Sequence, residues 1–126
     1  MEYLLTLVPH PGYLHASVTG THSAENAARF LREVREACAS QGVSAVLLEV
    51  KLSGPSLATG SIFNVISQES GWGRMLRKVA YVDASDRDPA KIKFAETVAL
   101  NRGVNVRLFA SVEEAGRWLI SERDRA

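Results

Sequence analysis

The chain has little cysteine, little net charge and no long apolar run, and each shortage excludes a class of protein. Its one cysteine, Cys38, cannot form a disulfide within the chain, which favours a reducing compartment such as the cytoplasm. The 15 Lys and Arg residues are nearly balanced by 14 Asp and Glu residues, whereas nucleic-acid-binding proteins typically carry a basic excess. No segment approaches the roughly 20 apolar residues that span a bilayer. We therefore expect a cytoplasmic protein that has no transmembrane segment and does not bind nucleic acid.

Motifs for catalysis and for metal binding are also missing. His10, His15 and His22 fall in a turn, on a strand and before a helix, without the paired spacing of a zinc site. The chain has no Gly-x-Ser-x-Gly nucleophile elbow and no Gly-Lys-Ser/Thr of a phosphate-binding loop. The sequence therefore predicts no bound metal and no cofactor, and it favours a binding or regulatory module over an enzyme.

The apolar content of the chain is sufficient for one hydrophobic core. Hydrophobic residues make up 46% of the sequence and charged residues 23%, which is ordinary for a globular protein. A length of 126 residues suits a single domain. No linker, repeat or low-complexity stretch divides the sequence, so we predict one domain over residues 1–126.

Five strands are predicted from alternating or continuous apolar runs. These runs cover residues 3–8, 13–19, 45–50, 78–82 and 104–109. Pro9 to Gly12 reads as a hairpin loop, so the first two strands should pair antiparallel. The later strands are separated by helical patterns, and their crossover connections predict mostly parallel pairing.

Four helices are predicted from apolar residues at spacings of three and four, together with capping residues. They should run from the Ser23 cap to Gly42, from Gly60 to Glu69, from Asp88-Pro89 to about Leu100, and from a Ser111–Glu114 capping box to Ser121. The order of elements is then β-β-α-β-α-β-α-β-α. This order predicts an α/β fold with a single five-stranded mixed sheet and helices packed on it.

Two sequence features accompany this order of elements. Glu49 lies in the third strand, and ten positions later the Thr59 hydroxyl precedes Gly60 at the start of the second helix. At the end of the chain, Phe109 closes a strand ahead of a helix that contains Trp118-Leu119. With these features the chain resembles the STAS family of anti-sigma-factor antagonists, and more closely its SpoIIAA-like branch.

The resemblance implies a STAS-like fold and a regulatory, protein-binding function in bacteria. The family carries a phosphorylatable hydroxyl in the motif Asp-Ser-Ser/Thr-Gly, and Thr59 is accordingly the candidate phosphoacceptor. Leu57 stands where that motif has its aspartate. The SpoIIAA-like branch is itself similar to CRAL-TRIO lipid-transfer domains, which implies a small apolar ligand as the alternative to a protein partner.

The candidate binding region is the loop at 53–61 and the helix at 60–70, because open sheets tend to hold ligands where a strand leads into a helix. Its candidate partner- or ligand-binding residues are Ser53, Ser56, Thr59, Ser61, Phe63, Trp72 and Arg74. Thr59 is also a candidate N-cap. Trp72 lies between two glycines and is expected to be partly exposed, either as a contact for a partner or folded back on the core.

Two functions remain open on the sequence alone. In the first, a protein partner docks on the loop and the second helix. In the second, a small apolar ligand occupies a pocket lined by Ile62, Phe63, Val65, Ile66 and Trp72. A flat, exposed helix would favour the first function, and a deep apolar cavity would favour the second. Self-association through either surface is compatible with the sequence, which does not fix the number of subunits.

Overall fold

The computed structural model describes residues 3–54, 57–68, 72–83 and 89–121. Their five strands form one sheet, in which the spatial order follows the chain order. The strands are β1 Tyr3–His10, β2 Tyr13–Thr21, β3 Ala45–Ser53, β4 Lys78–Asp83 and β5 Val106–Phe109. The β1–β2 pair is antiparallel and the other three pairs are parallel, as the sequence predicted.

Four strands, β1 to β4, run further than the sequence predicted, whereas β5 begins at Val106 and not at residue 104. β1 continues through Pro9, which is tolerated because β1 lies at the edge of the sheet, where a missing N–H need not break a ladder. β3 continues to Ser53, three residues beyond the predicted end of the strand at Val50. The reason is that Leu52 packs into the core and the Ser53 carbonyl accepts a hydrogen bond from the His22 N–H at 2.7 Å.

The described helices are α1 Ala24–Gln41, α2 Thr59–Gln68, α3 Trp72–Met75, α4 Pro89–Asn101 and α5 Val112–Ile120. Four of them correspond to predicted helices. The sequence did not predict the one-turn helix α3. The predicted helix start at Asp88 lies outside the described residues.

The predicted serine caps are confirmed at both helices. The Ser23 hydroxyl accepts from the Asn26 N–H at 3.1 Å, and the Ser111 hydroxyl accepts from the Glu114 N–H at 3.2 Å. The reciprocal half of the predicted capping box is absent among the described residues, because no bond joins the Glu114 carboxylate to the Ser111 N–H. α1 ends at Gly42, whose φ of 67° satisfies the left-handed C-cap.

The helices are divided unequally between the two faces of the sheet. Because each successive parallel strand is added on the same side of the previous one, right-handed crossovers place their helices on one face. The larger core, against α1 and α2, contains strand residues such as Val46, Leu48 and Val50. The smaller core packs Trp118 and Leu119 of α5 against the opposite face. The α1–α2–α4 face carries the site described next.

Candidate functional site

An apolar cleft lies between the helices of the larger core. It comprises two cavities of about 110 and 120 Å³. The first cavity is lined by Leu31, Leu48, Ile66, Trp72, Val79, Tyr81, Ile92, Ala95, Glu96, Ala99, Val104, Val106 and Leu108. The second is lined by His22, Ala27, Phe30, Leu31, Val50, Leu52, Leu57, Ile62, Val65, Ile66, Tyr81, Asp83, Lys91, Ile92 and Ala95.

The two cavities adjoin because they share walls from three helices and one strand. The shared residues are Leu31 of α1, Ile66 of α2, Tyr81 of β4, and Ile92 and Ala95 of α4. An apolar protein cavity of roughly 150 Å³ can admit a molecule of the size of benzene. Together the two cavities offer more room than that. The cleft can therefore accommodate a small apolar molecule.

Two polar residues of the second cavity, His22 and Asp83, lie at the carboxyl ends of parallel strands. Asp83 is the last residue of β4, and His22 follows directly after β2. The Tyr81 hydroxyl donates a hydrogen bond to the Asp83 carboxylate at 3.0 Å. Lys91 faces the same cavity from the first turn of α4. This edge of the sheet is where open α/β folds characteristically hold their ligands.

The structure places the predicted hydroxyl residues at the start of α2 and at the end of β3. Thr59 is the first residue of α2 and is exposed, and Ser61 lies two residues later, within the first turn of the same helix. The Ser53 hydroxyl donates to the Gly20 carbonyl at 3.0 Å, which ties β3 to β2. Ser56 lies outside the described residues. None of Ser53, Thr59 and Ser61 lines either cavity.

The predicted cap at Thr59 is wrong. The Ile62 N–H donates to the Ala58 carbonyl at 3.0 Å, which makes Ala58 the residue that precedes the first helical turn. The Thr59 hydroxyl has no hydrogen-bond partner among the described residues. Thr59 therefore occupies a solvent-facing position at the positive end of the helix without capping it.

The predicted partial exposure of Trp72 is also wrong. Its side chain is 4% exposed, and it packs with residues of the larger core such as Leu76. The short helix α3 turns the ring inward and leaves Arg74 exposed. Trp72 forms part of the wall of the first cavity, so it is no surface contact for a partner. Its buried indole N–H has no acceptor within the described part of the chain.

Four of the five residues predicted for an apolar pocket lie in the cleft, and Phe63 does not. Ile62, Val65 and Ile66 line the cavities with Trp72, whereas the Phe63 side chain is 45% exposed. The guanidinium of Arg102, which directly follows α4, lies 5.0 Å from the Phe63 ring centroid and donates to the Ser67 hydroxyl. Phe63 thus belongs to the outer surface where α2 meets α4.

Glu49, which matched the acidic position of the STAS pattern, lies on the face opposite the cleft. Its carboxylate is 2.8 Å from His15 Nε2 and 3.6 Å from Lys51 Nζ. Strand pairing sets Glu49 directly opposite Ser17, on the side of the sheet that α5 packs against. No contact joins the Glu49 carboxylate to any described residue of the 53–61 segment.

Sequence reasoning missed the walls contributed by α1 and α4. Ile92, Ala95 and Ala99 recur at helical spacing along α4 and face the cavities, a stripe that the sequence contained. Lys91 carried no signal by itself. It shares the second cavity with Asp83 only because β4 ends where α4 begins to return over the sheet.

Neither a metal cluster nor a membrane span is found in the described ranges. No three His, Cys, Asp or Glu side chains converge there as metal ligands would. None of the described helices combines the length and the apolar character that crossing a membrane requires.

Comparison with known proteins supports the fold. No protein-family model and no curated protein matches the sequence. The chain is similar to the solved structure of an uncharacterized protein from Shewanella loihica PV-4, which belongs to the DUF3478 family and has a SpoIIAA-like fold. The identity is 15%, the similarity covers 93% of each chain, and the TM-score is 0.58. The predicted SpoIIAA-like, STAS-type fold is therefore confirmed, and at this identity the likeness concerns the fold alone.

Proposed function

We propose that this protein binds a small apolar ligand in the cleft between α1, α2 and α4. The observation that carries the proposal is the pair of adjoining cavities, whose walls are predominantly aliphatic and aromatic side chains. Ligand sites are characteristically concave and apolar with a few polar groups at defined points. This arrangement favours ligand binding over the docking of a protein on a flat helix.

The occupant gains its affinity from burial of apolar surface. Close packing is the normal state of a protein core, and unfilled apolar space forfeits contacts that a ligand would restore. A carrier or a sensor of such a ligand needs no catalytic group. The proposal therefore agrees with a non-enzymatic role.

Titration with decan-1-ol, followed by methyl NMR, tests the proposal. We expect saturable shifts of the methyl groups of Leu31, Ile66 and Ile92, which line both cavities. Ala95→Phe places a ring at a position that also lines both cavities, and it should abolish binding because the ring occupies the space of the ligand. Ala39→Phe, at an exposed position of α1, adds the same ring outside the cleft and should leave binding unchanged.

Three results would contradict the proposal. The first is the lack of saturable binding to the wild-type protein. The second is an affinity of Ala95→Phe that equals the affinity of Ala39→Phe. The third is a set of shifts confined to methyl groups on the α5 face, which would assign the alcohol to a different place.

A protein partner on the outer surface of α2 is the second candidate function, and the exposure of Phe63 favours it. Aromatic and arginine side chains are enriched among residues that dominate protein interfaces, and Phe63 and Arg102 are stacked there. A photo-cross-linking residue at position 63, expressed in the host, should capture a defined partner that the same residue at position 39 does not. Equal products from both positions would reject this candidate.

Phosphorylation of Thr59 belongs with the second candidate. The hydroxyl is exposed, and a phosphate at a helix N-terminus is electrostatically compatible with the helix. Intact mass and peptide analysis of protein from the host should reveal a phosphate on Thr59 if phosphorylation regulates partner binding at this surface. Unmodified Thr59 under all growth conditions would rule out regulation by phosphorylation at this residue.

A further inference from the structure

The charged groups that line the cleft differ in whether they have partners. The Glu96 carboxylate accepts a hydrogen bond from Lys93 Nζ at 2.8 Å, and the Asp83 carboxylate accepts one from the Tyr81 hydroxyl. Lys91 is half-buried in the wall of the second cavity. Within the described ranges its ammonium group has neither a hydrogen bond nor an ion pair. Lys91 thus brings a positive charge to an apolar space without a hydrogen bond or ion pair to any described residue.

Helix stability does not explain a lysine at this position. Lys91 lies in the first turn of α4, and that turn contains no acidic residue. A cation is unfavourable there because the helix dipole presents its positive end. The residues three and four positions later, Phe94 and Ala95, offer no charge to pair with it. Within the described part of α4, no charge offsets the unfavourable position of this cation.

We infer that the ligand of the cleft is a singly charged anionic amphiphile, of the fatty-acid type. Its carboxylate pairs with Lys91 Nζ at the carboxyl edge of the sheet, and its apolar tail extends along the shared walls towards the first cavity. The carboxylate of Asp83 lines the same cavity, which disfavours a doubly charged head. A charge-assisted hydrogen bond in partly desolvated surroundings supplies selectivity for the head. The inference rests on the proposed apolar-ligand function and adds the chemical class of the ligand.

The test compares decanoate with decan-1-ol on matched variants. At pH 8, and below the micelle-forming concentration, decanoate is ionised because carboxyl groups titrate near pH 4. Lys91→Met keeps the apolar stem and removes the charge. We expect it to weaken decanoate binding roughly tenfold, and to change decan-1-ol binding less than about twofold. Lys51→Met, on the opposite face of the sheet, should leave both affinities unchanged.

Charge reversal gives a second, independent readout. Lys91→Glu should prefer the decyltrimethylammonium cation over decanoate, whereas the wild-type protein should show the opposite preference. Retained binding of decan-1-ol by each variant establishes that the cleft is intact.

The outcomes separate this inference from the proposed function. If decan-1-ol binds the cleft but the Lys91 variants change the affinities for decanoate and the alcohol equally, the anionic head is wrong and the apolar cleft stands. If decanoate binds no more weakly to Lys91→Met than to the wild-type protein, the inference also fails. If neither probe binds the wild-type protein, both the inference and the proposed function are wrong.

Discussion

Lys78 Nζ donates a hydrogen bond to the Trp118 carbonyl at 2.7 Å, which joins the start of β4 to the last turn of α5. The same ammonium group donates to the Ser121 carbonyl at 2.6 Å. Lys78 is 2% exposed, and its Nζ lies 5.1 Å from the Trp118 ring centroid. A cation at this position satisfies carbonyls that a helix leaves without intrahelical partners at its C-terminus. The contact secures α5 against the sheet face opposite the cleft.

Lys78→Met should therefore destabilise the protein, because it keeps the volume of the stem and removes the donor from both carbonyls. We expect a loss of about 2 kcal/mol in the free energy of unfolding, measured from urea denaturation. Lys51→Met is the control, since Lys51 is an exposed partner of Glu49 at 3.6 Å. It should change stability by less than about 0.5 kcal/mol. Equal urea midpoints for the two variants would show that the Lys78 contact contributes nothing.

The two helix starts at Ser23 and Thr59 should respond differently to alanine. Ser23→Ala removes a side-chain acceptor for the Asn26 N–H, and it should cost about 1 kcal/mol of stability. Thr59→Ala removes a hydroxyl with no described partner, so its effect should stay within about 0.5 kcal/mol. Thermal unfolding of both variants checks the difference. A loss for Thr59→Ala as large as that for Ser23→Ala would restore Thr59 as the cap.

Trp72 should behave as a core residue. Trp72→Ala should cost about 3–5 kcal/mol, because it opens a large cavity in the larger core. Trp72→Phe should cost much less, since the indole N–H gives up no described hydrogen bond. The exposed Phe63 provides the comparison, and Phe63→Ala should cost about 1 kcal/mol or less. Chemical denaturation of the three variants would contradict this assignment if Trp72→Ala were as stable as Phe63→Ala.

Cys38 should make stability depend on alkaline pH. Burial raises the pKa of its thiol from 9.0 to about 11. Between these values the unfolded chain loses the proton and the folded protein keeps it, so stability falls as pH rises and is unaffected below pH 9. The contribution amounts to about 2 kcal/mol by pH 11.

The variant Cys38→Ala isolates that contribution. Its stability should decline less steeply than that of the wild-type protein between pH 9 and pH 11, although its absolute stability is lower because a buried side chain is truncated. Parallel slopes for the two proteins in urea denaturation series would refute the assignment.

The elements of the fold were accessible from the sequence because their signals are local. Alternation in 13–19 and the apolar run at 45–50 predicted β2 and β3, and the caps at Ser23 and Ser111 predicted two helix starts. The hairpin between β1 and β2 required only a turn between two strand-like runs. The resemblance to the SpoIIAA-like branch then gave the fold family, which the structural comparison confirms.

The orientation of single side chains was less accessible. Trp72 between two glycines suggested exposure, yet a single turn of helix directs it into the core, since burial of a large aromatic ring outweighs a weak local preference. Thr59 before Gly60 suggested a cap, yet α2 begins one residue earlier in its hydrogen bonding. The burial of Trp72 depends on packing against residues that are distant in sequence.

The sequence by itself determined the order of the elements and their buried faces, because these follow from short-range periodicity. It also determined that known catalytic motifs are lacking, because such motifs depend on residue type and spacing. Only the tertiary structure revealed the cleft in which we propose that a ligand binds. The cleft exists because right-handed crossovers bring α1, α2 and α4 to one face of the sheet, where Leu31, Ile66 and Ile92 meet across it. The same folding places Lys91 and Asp83 in the wall of one cavity. Residue spacing along the chain cannot encode a space enclosed by such distant segments, because that space is defined by how the helices pack and not by any one of them.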